Sequence, residues 1–418
     1  MKRIIPAIAA ISTLLFSFTA YSQEAWQDPE VNQSARLPMR TTDASRPDPS
    51  CTVSLHGDWQ FRWYPTIAQR ATGFYKTSVD DSAWDTMPVP GMWELNGYGD
   101  PIYVNMGYAW KTHYTNNPPY PALEHNYAGH YRRHFFVPAS WQGREIDLCI
   151  GSATSCVRVW INGREVGYSE DSKLEARFDI TRYVRPGEEN LVALEVFRWC
   201  DGTYLEDQDF WRFCGLSRDT YVYSRPVRRI EDIHVAGAMD GTLTLSAEVT
   251  SGITRVDCSV IDPAGKEVAS FQLPVPRKHE VSETGNVLLR AEKAVPSPKL
   301  WSAEEPNLYR IKVAASDRKG VCESAEVSFG FRTVTISSSQ LLVNGKPVLI
   351  KGTDRHELSP YRGYIVSEEE MIEDIRIFKK LNINAVRTSH YPNDPRWYDL
   401  CDKYGIYVVD EGNVPDRL

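Results

Sequence analysis

The spacing of apolar residues changes character once along this 418-residue chain, near residue 335. Upstream, short runs alternate apolar and polar positions between Gly, Pro, Asn and Asp turn signals. A period of two marks strands with one buried and one wet face. Downstream, near-continuous apolar runs alternate with amphipathic helical stretches, the pattern of parallel βα units. A chain of this length holds two to three domains. The expected order is a targeting segment at 1–22, an all-β jelly-roll at 23–224, an immunoglobulin-like β-sandwich at 225–334, and the start of a (β/α)8 barrel at 335–418.

Local signals support this order. CVRVWINGREVGYS (156–169) reads as a hairpin: Val157, Val159 and Ile161 share a face, and Asn162-Gly163 suits the positive φ of a tight primed turn. YRRHFFVPA (131–139) is another strand, and a domain built from many such runs is most simply a jelly roll. The stretch from Pro226 to Val334 has the size of an immunoglobulin-like sandwich. DIHVAG, TLTLSAEV, RVDCSVID, LYRIKVAAS and AEVSFGFRTVTI supply its strands, and Lys299-Leu300-Trp301 is expected to cap its core.

Beyond Val334, PVLIKGT (347–353) reads as a buried parallel strand, NAVRTS as the second and IYVVDE as the third. SEEEMIEDIRIFKKLN (367–382) is a helix with Ser367 as N-cap, Glu370 completing a capping box, and Val366 and Met371 as a hydrophobic staple. Its buried stripe is Met371, Ile372, Ile375 and Phe378. PRWYDLCDKYG is the second helix. Residues 335–418 amount to about a third of the roughly 250 residues a closed barrel needs. The segment is therefore expected to present a bare strand edge at 406–410, to self-associate, and to be cut away by protease after about residue 335.

The formal charge of −8 and the lack of a long basic run exclude a nucleic-acid partner. The 12 Trp and 22 Tyr fit β-sheet cores, and some rings suit flat platforms for sugar faces. Lys2 and Arg3, then the apolar run from Ile4 to Phe18 and small residues at Ala20 and Ser22, read as a signal peptide cleaved near Gln23. A periplasmic or secreted protein without a membrane or lipid anchor is expected. The eight cysteines show no CxxC and no metal-ligand spacing. Most are read as small buried hydrophobes. Cys149/Cys156 and Cys200/Cys214 could pair, and spacing does not decide it.

Functional residues of a barrel sit at the C-terminal ends of its strands. His356 and Glu357 follow the first strand, Arg387, Ser389 and His390 the second, and Asp410, Glu411 and Asn413 the third. Three consecutive strands delivering polar groups to one rim point to a site rather than to packing.

RHELSP, NAVRTSHYPN and YVVDEGN resemble the barrel opening of glycoside hydrolase family 2, and GYGDPIYVN (97–105) and DGTYLEDQDFWRFCGLSRD (201–219) resemble the sugar-binding domain of its large bacterial β-galactosidase branch. The resemblance implies a retaining glycosidase acting on terminal β-galactosides, with β-glucuronidase and β-mannosidase as rival activities within the family. It implies that Asn105 and Asp209 reach the sugar from the sandwich, that Asp209 also binds sodium, and that His356 and His390 contact the sugar and favour the transition state. Arg387 would orient nearby carboxylates, and Glu357, Asp410, Glu411 and Asn413 would support the site. Both catalytic glutamates would lie beyond Leu418. The family continues past its D-E-x-N stretch with a Glu and a His that bind magnesium, whereas Asn413 here is followed by Val-Pro-Asp-Arg-Leu, with Pro415 in the glutamate's place. Magnesium and sodium are thus implied by the family, but the magnesium ligands are absent from this chain, which alone is expected to be inactive. The family is often homo-oligomeric. The alternative is a non-catalytic carbohydrate-binding protein.

Overall fold

The computed structural model describes residues 24–39, 49–110, 114–275, 280–282 and 284–413. The expected signal peptide and the Val-Pro-Asp-Arg-Leu ending lie outside them. Two β-sandwiches are followed by a short parallel sheet with two helices, the fold class that the sequence pattern implies.

The first sandwich packs a seven-stranded antiparallel sheet against a four-stranded one. In the larger sheet, Cys156–Ile161 pairs with both Arg164–Ser169 and Glu189–Phe197, and Glu189–Phe197 pairs with Ala128–Phe136. The expected hairpin forms, with Asn162 at φ 49° and Gly163 at φ 79°. Val157, Val159 and Ile161 point into the core with Trp59, Phe61, Leu148 and Leu194. The second sandwich joins two four-stranded sheets around Leu243, Val256, Ile311 and Phe331. The run AEVSFGFRTVTI divides between strands Gly320–Phe329 and Val334–Ser337. Leu300 packs on this core, whereas the buried Trp301 faces the next unit: its indole N–H donates to the Asp402 carbonyl at 2.8 Å, and its ring meets Tyr407 edge-on.

The last unit contains barrel strands β1 (Gly352–Arg355), β2 (Ala385–Thr388) and β3 (Tyr407–Val409), parallel and in that order, with helices α1 (Glu368–Lys380) and α2 (Pro395–Tyr404). The capping box closes as expected: the Glu370 N–H donates to Ser367 Oγ and the Ser367 N–H to Glu370 Oε2. Met371, Ile375 and Phe378 are buried with Val366, Trp397 and Leu400. The first strand corrects the sequence reading. It starts at Gly352, not at 347, and Leu349 is 76% exposed. Val348 N–H donates to the Leu341 carbonyl and Lys351 N–H to Asn384 Oδ1, so this stretch belongs to a separate small antiparallel sheet and a connecting turn.

The segment expected to be cut away after about residue 335 is packed onto the first sandwich. The unit docks on the first sandwich through Met92 and Phe213 on one side and Tyr364 and Tyr391 on the other, all buried. Gly363, at φ +62°, brings its backbone against this contact; a Cβ there would lie 3.2–3.3 Å from Leu95, Met92 and Phe213. Tyr364 donates its hydroxyl to the Trp211 carbonyl. Arg218 of the sandwich meets Glu357 at 2.6 Å, with both side chains buried. Lys173 buries its ammonium against three rings, 3.1 Å from the centroid of Tyr364 and 4.6 Å from that of Tyr391. Burial pushes its pKa down to about 7, and the adjacent Arg218 acts in the same direction. Val409 on strand β3 is exposed.

Candidate functional site

All three barrel strands end at one rim, and each delivers polar groups there. His356 follows β1, Ser389 and His390 follow β2, and Asp410 and Glu411 follow β3. Parallel register brings them level: Arg387 lies opposite both Asp354 and Val409. The rings of His356 and His390 meet edge to face with centroids 5.5 Å apart. Glu411 holds the rim together. One of its oxygens takes Arg387, the other accepts from His390 Nδ1 at 3.0 Å, and its N–H donates to Thr388 Oγ1 at 3.0 Å. Asp410 accepts from the hydroxyls of Thr388 at 3.0 Å and Tyr398 at 2.6 Å.

The sandwich contributes a second set of polar residues. Phe210–Arg212 pairs antiparallel with Ile102–Val104, ending at Phe210 opposite Val104. Asp209 and Asn105 are the next residue on each strand, so the ladder itself sets them side by side. Asp209 is half-buried and accepts the Tyr103 hydroxyl; Asn105 is exposed. Asp209 also acts on His356. Desolvation lowers the His356 pKa first, and the nearby His390 lowers it further, while Asp209 and Asp354 oppose them. His356 is therefore a neutral imidazole at pH 7, able to donate and accept at once.

His356 and His390 thus meet at the rim, with Arg387 behind His390 through Glu411, and Asp209 is near enough for its charge to act on His356. Glu357 and Asn413 are placed apart from this group. Glu357 is buried, one oxygen on Arg218 and the other accepting the Asp394 N–H at 2.7 Å. Asn413 reaches Asp171 of the sandwich at 3.4 Å. Sequence reading missed Tyr103, which holds Asp209, and the role of Trp211, which is 36% exposed, stacked on Phe213 and edge-on to Tyr103. Trp211 lies in the quoted 201–219 motif, and a surface-exposed Trp beside a carboxylate is the signal that would have singled it out. Lys173 and Arg218 carry no such signal.

The arrangement offers hydroxyl acceptors, hydroxyl donors and an aromatic edge, a set suited to a polyol. It does not offer a pair of free carboxyls flanking a bond. Among the described residues, no group of three or more His, Cys, Asp or Glu side chains converges as a metal site. Asp209 has one carboxylate oxygen engaged by the Tyr103 hydroxyl.

Comparison with known proteins places these features in context. Residues 52–226 match the sugar binding domain of glycosyl hydrolases family 2, residues 228–332 match a further domain of that family, and residues 334–416 match its TIM barrel domain. A beta-galactosidase of Priestia megaterium is 38% identical over 412 residues, covering 93% of this chain and 39% of the relative. One from Vibrio vulnificus is 39% identical over 369 residues, covering 86% and 35%. The chain thus spans about two-fifths or less of these relatives' length. Among solved structures, the beta-glucuronidase of Bifidobacterium dentium superposes with a TM-score of 0.71 at 24% identity, over 88% of this chain and 62% of that one. A Ruminococcus gnavus beta-glucuronidase gives 0.68 at 25%, over 87% and 58%. These likenesses speak to the fold.

Proposed function

The chain belongs to family 2 of the glycosyl hydrolases, and on that premise we propose that it is the sugar-recognising N-terminal portion of a retaining β-galactosidase. The observation that carries this reading is the His356–His390 pair at the barrel rim, with ring centroids 5.5 Å apart, together with Asp209 of the sandwich, whose charge acts on His356. In this reading a terminal β-D-galactose lies between the sandwich residues and the rim. Asp209 accepts from two vicinal hydroxyls, as a carboxylate can, and Asn105 beside it donates its amide. His356 and His390 contact the sugar from the rim, and Arg387 keeps Glu411 in place behind His390.

Cleavage with retention needs two carboxyls about 5 Å apart, one as acid/base and one as nucleophile. Neither role is assigned to this chain. Glu411 is engaged by Arg387 and His390, Glu357 by Arg218, and Asp410 by two hydroxyls. The same proposal includes a sodium ion beside Asp209, magnesium held by residues outside this chain, export directed by residues 1–22, and self-association through the β3 edge. Among the described residues, no helix is long and apolar enough to cross a membrane. A β-glucuronidase would want a cation free for the sugar carboxylate. At this rim Arg387 is paired with Glu411 and Asp354, which favours a neutral hexose. The second reading, carbohydrate binding without hydrolysis, is favoured for the isolated chain by the same carboxylate pairings.

Ligand-observed NMR with galactose, mannose and glucuronate, on the unaltered chain and on Asp209→Ala, tests the proposal. Galactose should bind best. The substitution should weaken it about tenfold or more, because hydrogen bonds to a charged group contribute about 1.5–3 kcal/mol. The chain alone should leave an aryl β-galactoside uncleaved. Preference for glucuronate, or indifference to Asp209→Ala, would overturn the assignment.

A further inference from the structure

Cys156 and Cys200 form a buried thiol pair that neither sequence spacing nor any comparison singles out. Cys156 opens its strand opposite Phe197. Past Phe197 the chain turns back on itself: the Ser155 N–H donates to the Phe197 carbonyl at 2.9 Å, and the Cys200 N–H to Thr203 Oγ1 at 3.0 Å. The turn sets Cys200 Sγ 4.0 Å from the carbonyl oxygen of Ser155, the residue before Cys156, and packs both thiols into one cluster. Both are shielded from solvent, at 1% and 0% exposure, in an apolar cluster with Trp26, Ala128, Tyr168 and Phe197. The pairs that spacing allowed are placed differently. Cys149 lies on the other sheet, opposite Arg177 and Tyr221, and the Cys214 N–H donates to Glu94.

We propose that Cys156 and Cys200 are the site of a disulfide, formed as the chain folds in the presence of a disulfide oxidant such as oxidised glutathione. One protein thiolate attacks the oxidant and releases one glutathione thiolate; the second then attacks the mixed disulfide and releases the other. Two S–H protons leave, one S–S bond forms in the protein, and one breaks in the oxidant. Burial raises the pKa of the Cys200 thiol and closes the folded protein to the oxidant, so the bond forms during folding. Its place links it to the sugar site. Cys200 stands immediately before the 201–212 segment that carries Asp209, so the bond anchors the root of that segment to the sheet. The inference itself does not rest on the proposed function.

The test is to denature and reduce the full chain, refold it in a glutathione redox buffer, alkylate it in denaturant without reductant, and map the peptides by mass spectrometry. Six of the eight cysteines should be alkylated, and one cross-linked peptide should join Cys156 to Cys200. The oxidised protein should melt several degrees above the reduced one, as closing a long loop implies, and Cys156→Ser should abolish that difference with all its cysteines alkylated. Alkylation of all eight cysteines, or a cross-link between other cysteines, would overturn the proposal. Where Cys156→Ser does not refold, the peptide map of the unsubstituted chain decides alone.

Discussion

Replacing Glu357 with glutamine should loosen the parallel unit from the first sandwich while leaving that sandwich folded. The carboxylate joins two groups at the joint. Oε2 meets Arg218 Nη2 at 2.6 Å, and Oε1 accepts the Asp394 N–H at 2.7 Å. Glutamine keeps the shape and can keep the bond to Asp394, so the change isolates the charge. Arg218 is fully enclosed. Desolvation would lower its pKa, but Glu357 and Asp394 more than offset this and hold it above its usual value. The substitution therefore leaves a buried guanidinium facing two carbonyls, those of Lys173 and Pro392, and the more distant Asp394. Breaking a buried pair in this way costs about 3–5 kcal/mol. With Asp394 still nearby, the lower end, about 3 kcal/mol, is the appropriate figure. That corresponds to roughly two powers of ten in the docking equilibrium. Limited proteolysis reads it directly: where opening is faster than cleavage, the rate follows the open population. Cleavage near residue 335 should be slow in the unaltered chain and about a hundredfold faster in Glu357→Gln. The double substitution Arg218→Met/Glu357→Leu should recover much of the loss, because apolar replacements of buried pairs are often neutral or better. A change below twofold, or a double variant as labile as the single one, would refute the view that this ion pair holds the joint.

Two further outcomes follow from local chemistry. Burial raises the pKa of Glu94 to about 7, from 4.5, against the backbone N–H of Cys214. The unfolded carboxyl releases its proton near 4.5 and the folded one near 7, so stability is lost as pH rises through that window, by about 3 kcal/mol for this group. Urea titrations at pH 5 and pH 8 should show a smaller pH difference for Glu94→Gln than for the unaltered chain; an equal difference would contradict the assignment. Ser367→Ala should lower the stability of the parallel unit by about 1 kcal/mol through loss of the N-cap, and a midpoint unchanged in chemical denaturation would count against the cap's contribution.

Much of the rim is legible in the sequence, because a parallel strand places its following residues at one end of the sheet whatever else the fold does. That rule located His356, His390 and Glu411. Their roles differ in ways the rule does not express: Glu411 binds its neighbours, and Glu357, one residue from His356, turns into the joint instead. The apolar run at 347–353 was misread for a related reason. Hydrophobicity does not say which sheet takes a segment: Val348 bonds to Leu341 of the small antiparallel sheet, and Leu349 is exposed.

By itself, the sequence determined the local elements: the hairpin at Asn162-Gly163, the capped helix at Ser367, the switch from period two to strand and helix, and the family to which these motifs belong. Each depends on residues a few positions apart, where propensity, capping and alternation act. Only the tertiary structure decided that His356 meets His390, that Arg218 neutralises Glu357, that Lys173 sits among barrel tyrosines, and that Cys156 and Cys200 share one buried cluster. These are contacts between side chains far apart in the chain. Their energies come from desolvation and Coulomb terms that exist only once the surfaces have met, so no periodic signal records them.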